Sequence, residues 1–322
     1  MREAAFIKEN REKWERIDGE TQNDISAKEL ADNFIELTDD LSYARTFYPK
    51  SNTERYLNQL TSKYFSQIYQ HRRKEKGRFK RFWLFELPTI MYERRKYIVY
   101  SFILFVLSMG IGIFSMMKEN TFAASIISQE YVNMTNDNIA NNDPMAVYKQ
   151  ADSGSMFVGI TINNIKVAFF AFIYGIFLSI GTAYILIYNG VMLGVFQAFF
   201  YKNGLLFMSS MAVWLHGTLE ISAIIIAGGA GFVLGNSILF PGSYSRKVSL
   251  VKAAKDALKI VFGLIPVFIV AGFIESFLTR LTEMHIAIKL SIIIVSAAFI
   301  LFYFFIYPFR LHKKTNISLS ES

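Results

Sequence analysis

The sequence predicts an all-α fold, a polytopic helical membrane protein that begins with a cytoplasmic helical bundle. Two observations carry that expectation. Of the 322 residues, 52% are hydrophobic and 19% are charged, whereas soluble domains average ~25% charged residues. The two classes are also unevenly spread: 36 of the 60 charged residues precede Tyr97, in the first third of the chain, and nearly all the long apolar runs follow it. Four segments result: a bundle over 1–70, a basic and aromatic interfacial stretch over 71–96, a transmembrane domain over 97–310, and a cytoplasmic tail over 311–322.

In the first segment Glu3 to Ile17 reads as a helix. Ala27 to Tyr48 reads as a second, with Ser26 as N-cap and Pro49 as stop. Leu30, Phe34, Leu37 and Leu41 recur at spacings of three and four, which turns one face inward. A third helix follows Ser51, whose hydroxyl with Glu54 three residues on predicts a capping box. Leu57, Leu60, Tyr64 and Ile68 extend its stripe. The first thirty residues lack the apolar core of a secretory signal, so the first true span is expected to target the chain.

Arg72, Arg73, Lys80, Arg81, Arg94 and Arg95 crowd the next segment, interleaved with Phe82, Trp83 and Phe85. Cationic side chains reach lipid phosphates while aromatic rings settle at head-group depth. The net charge of +8 therefore points to membrane lipid and topology, not to nucleic acid. Pro88 is expected to break a surface helix before the first span.

Tyr97 to Met117 holds no charge and is long enough to cross a ~30 Å hydrocarbon layer. Lys118 to Lys166, with five acids against three lysines, reads as an outer loop. Span two begins at Val167 and ends at Asn189 and Gly190, and a short helix, Val191 to Tyr201, follows as a crossing or a re-entrant half-helix. Asn203 and Gly204 make the next break before an apolar stretch that Pro241 and Gly242 terminate. The segment up to Lys259 is basic and reads as cytoplasmic. Ile260 to Leu278 and Leu290 to Phe309 form a final hairpin. Charge bias at both ends requires an even number of crossings, hence about six; five, with the C-terminus outside, is the competing count.

Within this apolar half, His216 and Glu220 stand one helical turn apart on a face continued by Ala223, Ala227, Ala230 and Gly231. Gly231 with Gly235, and Gly190 with Gly194, repeat the small-xxx-small spacing of close-packed membrane helices, and Gly217 lies between the polar pair. A carboxylate inside a membrane requires a partner; His216, Asn189 and Glu275 are the candidates. Three readings of this cluster stay open: a hydrogen-bonded tie between helices, a conduction or proton path, and catalysis. A zinc hydrolase needs about three protein ligands and a bound water, which His216, Glu220 and Glu275 supply only where two helices converge. The chain has no cysteine, no HExxH, no nucleophile elbow and no phosphate-cradling loop. No catalytic residue, metal or cofactor is expected. His285, near the last hairpin turn, reads as a wetted loop residue.

These motifs together resemble the stage II sporulation protein M family. The likeness runs from about residue 10 to 310. It rests on Trp14, Glu29-Leu30, Asp40-Leu41-Ser42-Tyr43-Ala44-Arg45 and Tyr56-Leu57-Asn58-Gln59-Leu60, then on Asn163-Asn164, Asn189-Gly190 with Gly194, the block His216-Gly217-Thr218-Leu219-Glu220 and Glu275. The resemblance implies a bacterial or archaeal multi-pass protein of the cytoplasmic membrane without demonstrated catalysis. In spore formers the founding member acts in engulfment, with another membrane protein and a peptidoglycan hydrolase. It also implies an oligomeric scaffold of the cell envelope, homo- or hetero-oligomeric, with a small-solute or proton-coupled transporter as the alternative.

Overall fold

The computed structural model describes residues 1–19, 26–73, 77–141, 143–146, 152–281 and 283–320. The chain forms two compact units, 1–79 and 80–322.

The first unit contains α1 (Glu3–Gly19), α2 (Ala27–Phe47) and α3 (Asn52–Arg73). Their inward stripes meet in a core of Phe6, Trp14, Ile17, Leu30, Leu37, Leu41, Ala44, Leu57, Leu60 and Tyr64. Buried polar tips on that core find partners, as they must where water is excluded. The Trp14 indole donates to Asp40 Oδ2 at 2.7 Å, Lys13 pairs with the same oxygen at 2.6 Å, and the Tyr64 hydroxyl donates to the Ile17 carbonyl at 2.7 Å.

Ser26 caps α2 reciprocally with Glu29. Hydrogen bonds from the Ser26 amide and then the Ser26 side chain hold the Glu29 carboxyl below the usual carboxylate range. The expected box at Ser51 forms only in half. Ser51 Oγ accepts from the Glu54 amide at 3.1 Å, but the Glu54 carboxylate reaches one residue further back, to the Lys50 amide at 2.6 Å. Lys50 has φ 67°, a left-handed turn that presents its own N–H in place of that of Ser51.

In the second unit, six helices among the described residues are long and apolar enough to cross a membrane. They are α4 (Arg78–Lys118), α7 (Ser153–Ile176), α8 (Ile180–Lys202), α9 (Leu206–Leu239), α10 (Arg246–Leu278) and α11 (Ile286–Lys314). Two short helices, α5 (Phe122–Ile127) and α6 (Gln129–Ala140), join α4 to α7.

Three sequence expectations are corrected here. Pro88 does not break α4, because a widened π turn over Phe82–Glu86 precedes it. Proline removes an amide and crowds the carbonyl four residues back; that carbonyl, of Leu84, instead accepts from the Tyr307 hydroxyl at 2.8 Å. Second, the break between spans two and three falls at 177–179, not at Asn189 and Gly190. Leu178 and Ser179 take φ 54° and 71°, so α8 is a full 23-residue helix of about 34 Å, with no half-helix. Third, the stretch read as an ordinary outer loop is largely helical. Its last part belongs to α7, which starts where Asp152 accepts from the Ser155 amide at 3.0 Å and runs through exposed Lys166.

Helix α9 is the centre of the bundle. Its apolar window is 72% buried against 17% for α11, and it packs against all five other long helices. Glycines bring backbones together on two seams. Gly175 on α7 lies against Gly231 on α9, and Gly235 against Ser179; on the second seam Gly190 and Gly194 of α8 meet Phe105 and Met109 of α4, and Gly112 of α4 meets Val191. A Cβ at any of these would collide with a backbone or side-chain atom. Ser101 Oγ adds a tie from α4 to the Ile225 carbonyl at 2.6 Å, and Thr182 Oγ1 spans the α7–α8 turn to the Ala171 carbonyl at 2.7 Å.

The seams predict a contrast between two glycines of different surroundings. Gly194→Val is expected to destabilise the bundle by about 1–3 kcal/mol, whereas Gly110→Val, which meets nothing within 4 Å, should be close to neutral. Unfolding of full-length protein in mixed micelles by graded denaturing detergent measures both.

Candidate functional site

The polar cluster is assembled from α9, α10 and α7. On α9, His216 and Glu220 share one face through their four-residue spacing. On α10, Glu275 occurs in a second π turn, Ile274–Leu278, and that extra residue per turn rotates its carboxylate off the helix register toward α9. One ligand atom each from His216, Glu220 and Glu275 lie within 4.8 Å of one another. His216 Nε2 is 3.8 Å from Glu275 Oε1.

Around these three lies a collar of neutral polar groups. His216 Nδ1 is 3.3 Å from Thr279 Oγ1, and the Thr279 hydroxyl donates to the Ile274 carbonyl at 3.3 Å. With its proton so used, the Thr279 oxygen can accept from an Nδ1–H, the tautomer that puts the lone pair of Nε2 on the carboxylate side. Asn164 of α7 stands beside Glu220. It is 5% exposed and its side chain interacts with the Glu220 carboxyl, while the buried Thr161 and Ser276 hydroxyls have no hydrogen-bond partner.

A cavity of about 260 Å³ opens beside the cluster, lined by His216, Gly217 and Glu220 of α9, Asn189 of α8 and Tyr131 of α6 among others. Asn189 is thus brought to the same space, although its amide donates to its own helix at the Ile185 carbonyl, 2.8 Å away. Tyr131 closes the cavity from the connecting helices, its ring 6.4 Å from that of Phe196.

The remaining sequence-predicted residues divide. Gly190, Gly194, Gly231 and Gly235 sit on the helix seams, and Ala227 is fully buried on α9. Gly217 has only side chains of its own helix around it and borders the cavity. Among the interfacial residues, Lys80 and Arg81 are exposed and Trp83 is half-buried. Arg94 departs from the expected lipid role: it is committed to Asp256 on α10 at 2.6 Å, beside a parallel Lys259–Glu86 pair at 2.6 Å. Arg95 lies over the Tyr92 ring at 4.1 Å. The side chains of Arg72 and Arg73 lie outside the described residues. His285 caps α11, its Nδ1 accepting from the Ala287 amide at 3.2 Å.

Sequence reasoning passed over Thr161, Ser276, Thr279 and Tyr131. For the first three the one signal is a hydroxyl-bearing side chain embedded in an apolar helix, a weak one because Ser and Thr hydroxyls usually satisfy themselves on the preceding turn; Tyr131, on a polar connecting helix, gives none.

The covering role of α6 is open to test because the chain has no cysteine. Met192→Cys, on the cavity wall, should react slowly with a membrane-impermeant maleimide, and Tyr131→Ala in the same chain should accelerate labelling several-fold. Equal rates would mean that α6 does not close the cavity.

Comparison with known families gives two matches. A family model described as Stage II sporulation protein M matches residues 101–280. A separate one, described as Domain of unknown function (DUF8413), matches residues 4–70, so the N-terminal unit is matched by a model of its own. No curated protein and no solved structure matches.

Proposed function

From the premise that this chain belongs to the stage II sporulation protein M family, we propose that it is a non-enzymatic scaffold in the cytoplasmic membrane, assembling a cell-envelope complex. The observation that carries the reading is the pair of glycine seams. They bring α4, α7, α8 and α9 into backbone contact, and close-packed interfaces of this kind resist sliding. A bundle so locked suits a fixed platform better than a machine that rocks between two states. Membrane lipid, further copies of the chain and envelope or peptidoglycan-remodelling proteins are the partners this role requires.

Orientation follows from charge. Arg246, Lys247, Lys252, Lys255 and Lys259 face one acid, Asp256, at the α9–α10 junction and the start of α10, while the stretch between α4 and α7 carries Glu119, Glu130, Asp137, Asp143 and Asp152. The positive-inside rule then sets both chain ends and the α9–α10 junction in the cytoplasm. A single cysteine introduced at Ser243 should resist an impermeant maleimide in intact cells and react once the cells are opened. Labelling from outside would reverse the topology.

One observation favours a second reading, a proton-coupled or small-solute transporter: the polar cluster opens on a cavity. Glu220→Gln separates the two. A scaffold keeps its crosslinked complex with envelope membrane proteins or a peptidoglycan hydrolase in native membranes, and liposomes bearing the wild type show no flux driven by a pH gradient. A transporter shows that flux and loses it in the variant.

A further inference from the structure

We propose that His216, Glu220 and Glu275 form a binding site for one divalent transition-metal ion, with Zn²⁺ the best-suited occupant. The inference goes beyond the scaffold reading and does not depend on it.

Charge supplies the first argument. Two carboxylates lie within 4.8 Å of each other and of an imidazole nitrogen, inside a bundle of apolar spans. Like charges that close, out of water, oppose one another strongly. A neutral imidazole with two carboxylates bears a charge of minus two, which a divalent cation cancels, so the occupied site presents no net charge to the membrane interior.

Geometry supplies the second. Ligand atoms about 2.0–2.1 Å from a tetrahedral Zn²⁺ lie about 3.4 Å from one another. His216 Nε2 and Glu275 Oε1 are already 3.8 Å apart, close to that spacing, and a ligand atom of Glu220 lies within 4.8 Å of the other two residues' ligand atoms. The nitrogen donor disfavours Mg²⁺ and Ca²⁺, which prefer all-oxygen shells.

The surroundings supply the third. A metal-bound histidine ordinarily donates its other ring N–H to a fixed acceptor, which sets the tautomer. Thr279 is placed for that task at Nδ1, and its own hydroxyl is anchored on the Ile274 carbonyl. Independently of the three ligands, Asn164 is 95% buried with its side chain set against the Glu220 carboxyl. A side-chain amide in that position orients the carboxylate, as the outer partners of metal-bound carboxylates ordinarily do, and leaves the fourth coordination place to a water or anion. Glu220 is half-buried and borders the cavity under Tyr131, so this place has room.

The test uses full-length, tag-free protein in detergent micelles, stripped with chelator, desalted and titrated with Zn²⁺, and in parallel with Co²⁺ as an absorbing probe and with Mg²⁺. The expected result is one Zn²⁺ per chain by elemental analysis after desalting, visible Co²⁺ ligand-field bands that Zn²⁺ abolishes, and a rise in unfolding temperature with Zn²⁺ but not with Mg²⁺. Glu220→Gln and Glu275→Gln should each lose stoichiometric metal, and Thr279→Val should weaken Zn²⁺ binding roughly 10–100-fold. Should a variant fail to elute as a single species, the wild-type titration decides alone. Monodisperse stripped wild type that takes up no Zn²⁺ overturns the proposal. So does Zn²⁺ uptake that persists undiminished in folded Glu220→Gln and Glu275→Gln, because the ion then sits elsewhere.

Discussion

The membrane unit depends on how closely helix backbones approach at its glycine seams. Inside a bilayer the hydrophobic effect gives helices no reason to associate, since lipid tails are as apolar as their side chains; packing and hydrogen bonds must do it. That is why α9, the most enclosed span, carries Gly228, Gly229, Gly231 and Gly235, of which Gly231 and Gly235 meet the backbone of α7 or its following turn directly. Tight approach has a second effect. It draws α7 and α9 together, and Gly272 of α10 lies directly against Thr161 of α7, so that Thr161, Asn164, His216, Glu220, Glu275 and Thr279 form one polar cluster. The polar site is thus a product of the seams, since helices held a few ångströms further apart would leave its carboxylates in separate apolar environments.

Much of this was legible in the sequence, and the misreadings have a common cause. Six spans and the placing of His216 and Glu220 on one helix face follow from hydropathy and helical spacing, which burial in lipid enforces strictly. The boundaries around α7 and α8 did not follow. Asn189 and Gly190 resemble a turn by the rules of water-soluble chains, yet here the Asn189 amide is satisfied by the carbonyl four residues back and Gly190 serves contact with α4. The true turn uses Phe177, Leu178 and Ser179, and the left-handed backbone of the last two carries no glycine or proline signal. It is fixed by tertiary contacts, with the Ser179 amide donating to the Gly175 carbonyl at 3.0 Å and Gly235 of α9 lying against Ser179. Lys166 misleads in the same way: one exposed lysine resembles a loop end, although α7 continues through it.

The N-terminal unit obeys other physics and was correspondingly easier to read. Water drives its apolar stripes together, so periodicity alone located the core residues of α2 and α3. Only the detail at Ser51 escaped, because capping depends on the backbone angle of the preceding residue, and composition does not reveal that Lys50 turns left-handed.

No sequence rule used here anticipates a π turn, and the structure has three among the described residues, at Phe82–Glu86, Ile274–Leu278 and Phe302–Ile306. Each is a departure from the tighter α ladder that needs compensation. The first and third compensate each other. Tyr303, within the third, donates to the Trp83 carbonyl of the first at 2.8 Å, and Tyr307, just after it, to the Leu84 carbonyl at 2.8 Å, so carbonyls near Pro88 are satisfied by hydroxyls that the widened turn of α11 brings within reach. The second turn carries Glu275, and its compensation is Thr279, whose amide and hydroxyl both return to the Ile274 carbonyl at 2.9 and 3.3 Å. That same threonine faces His216. One irregular turn thereby aims the carboxylate and anchors the residue that orients the imidazole, which makes the distortion of α10 and the geometry of the polar cluster a single structural feature.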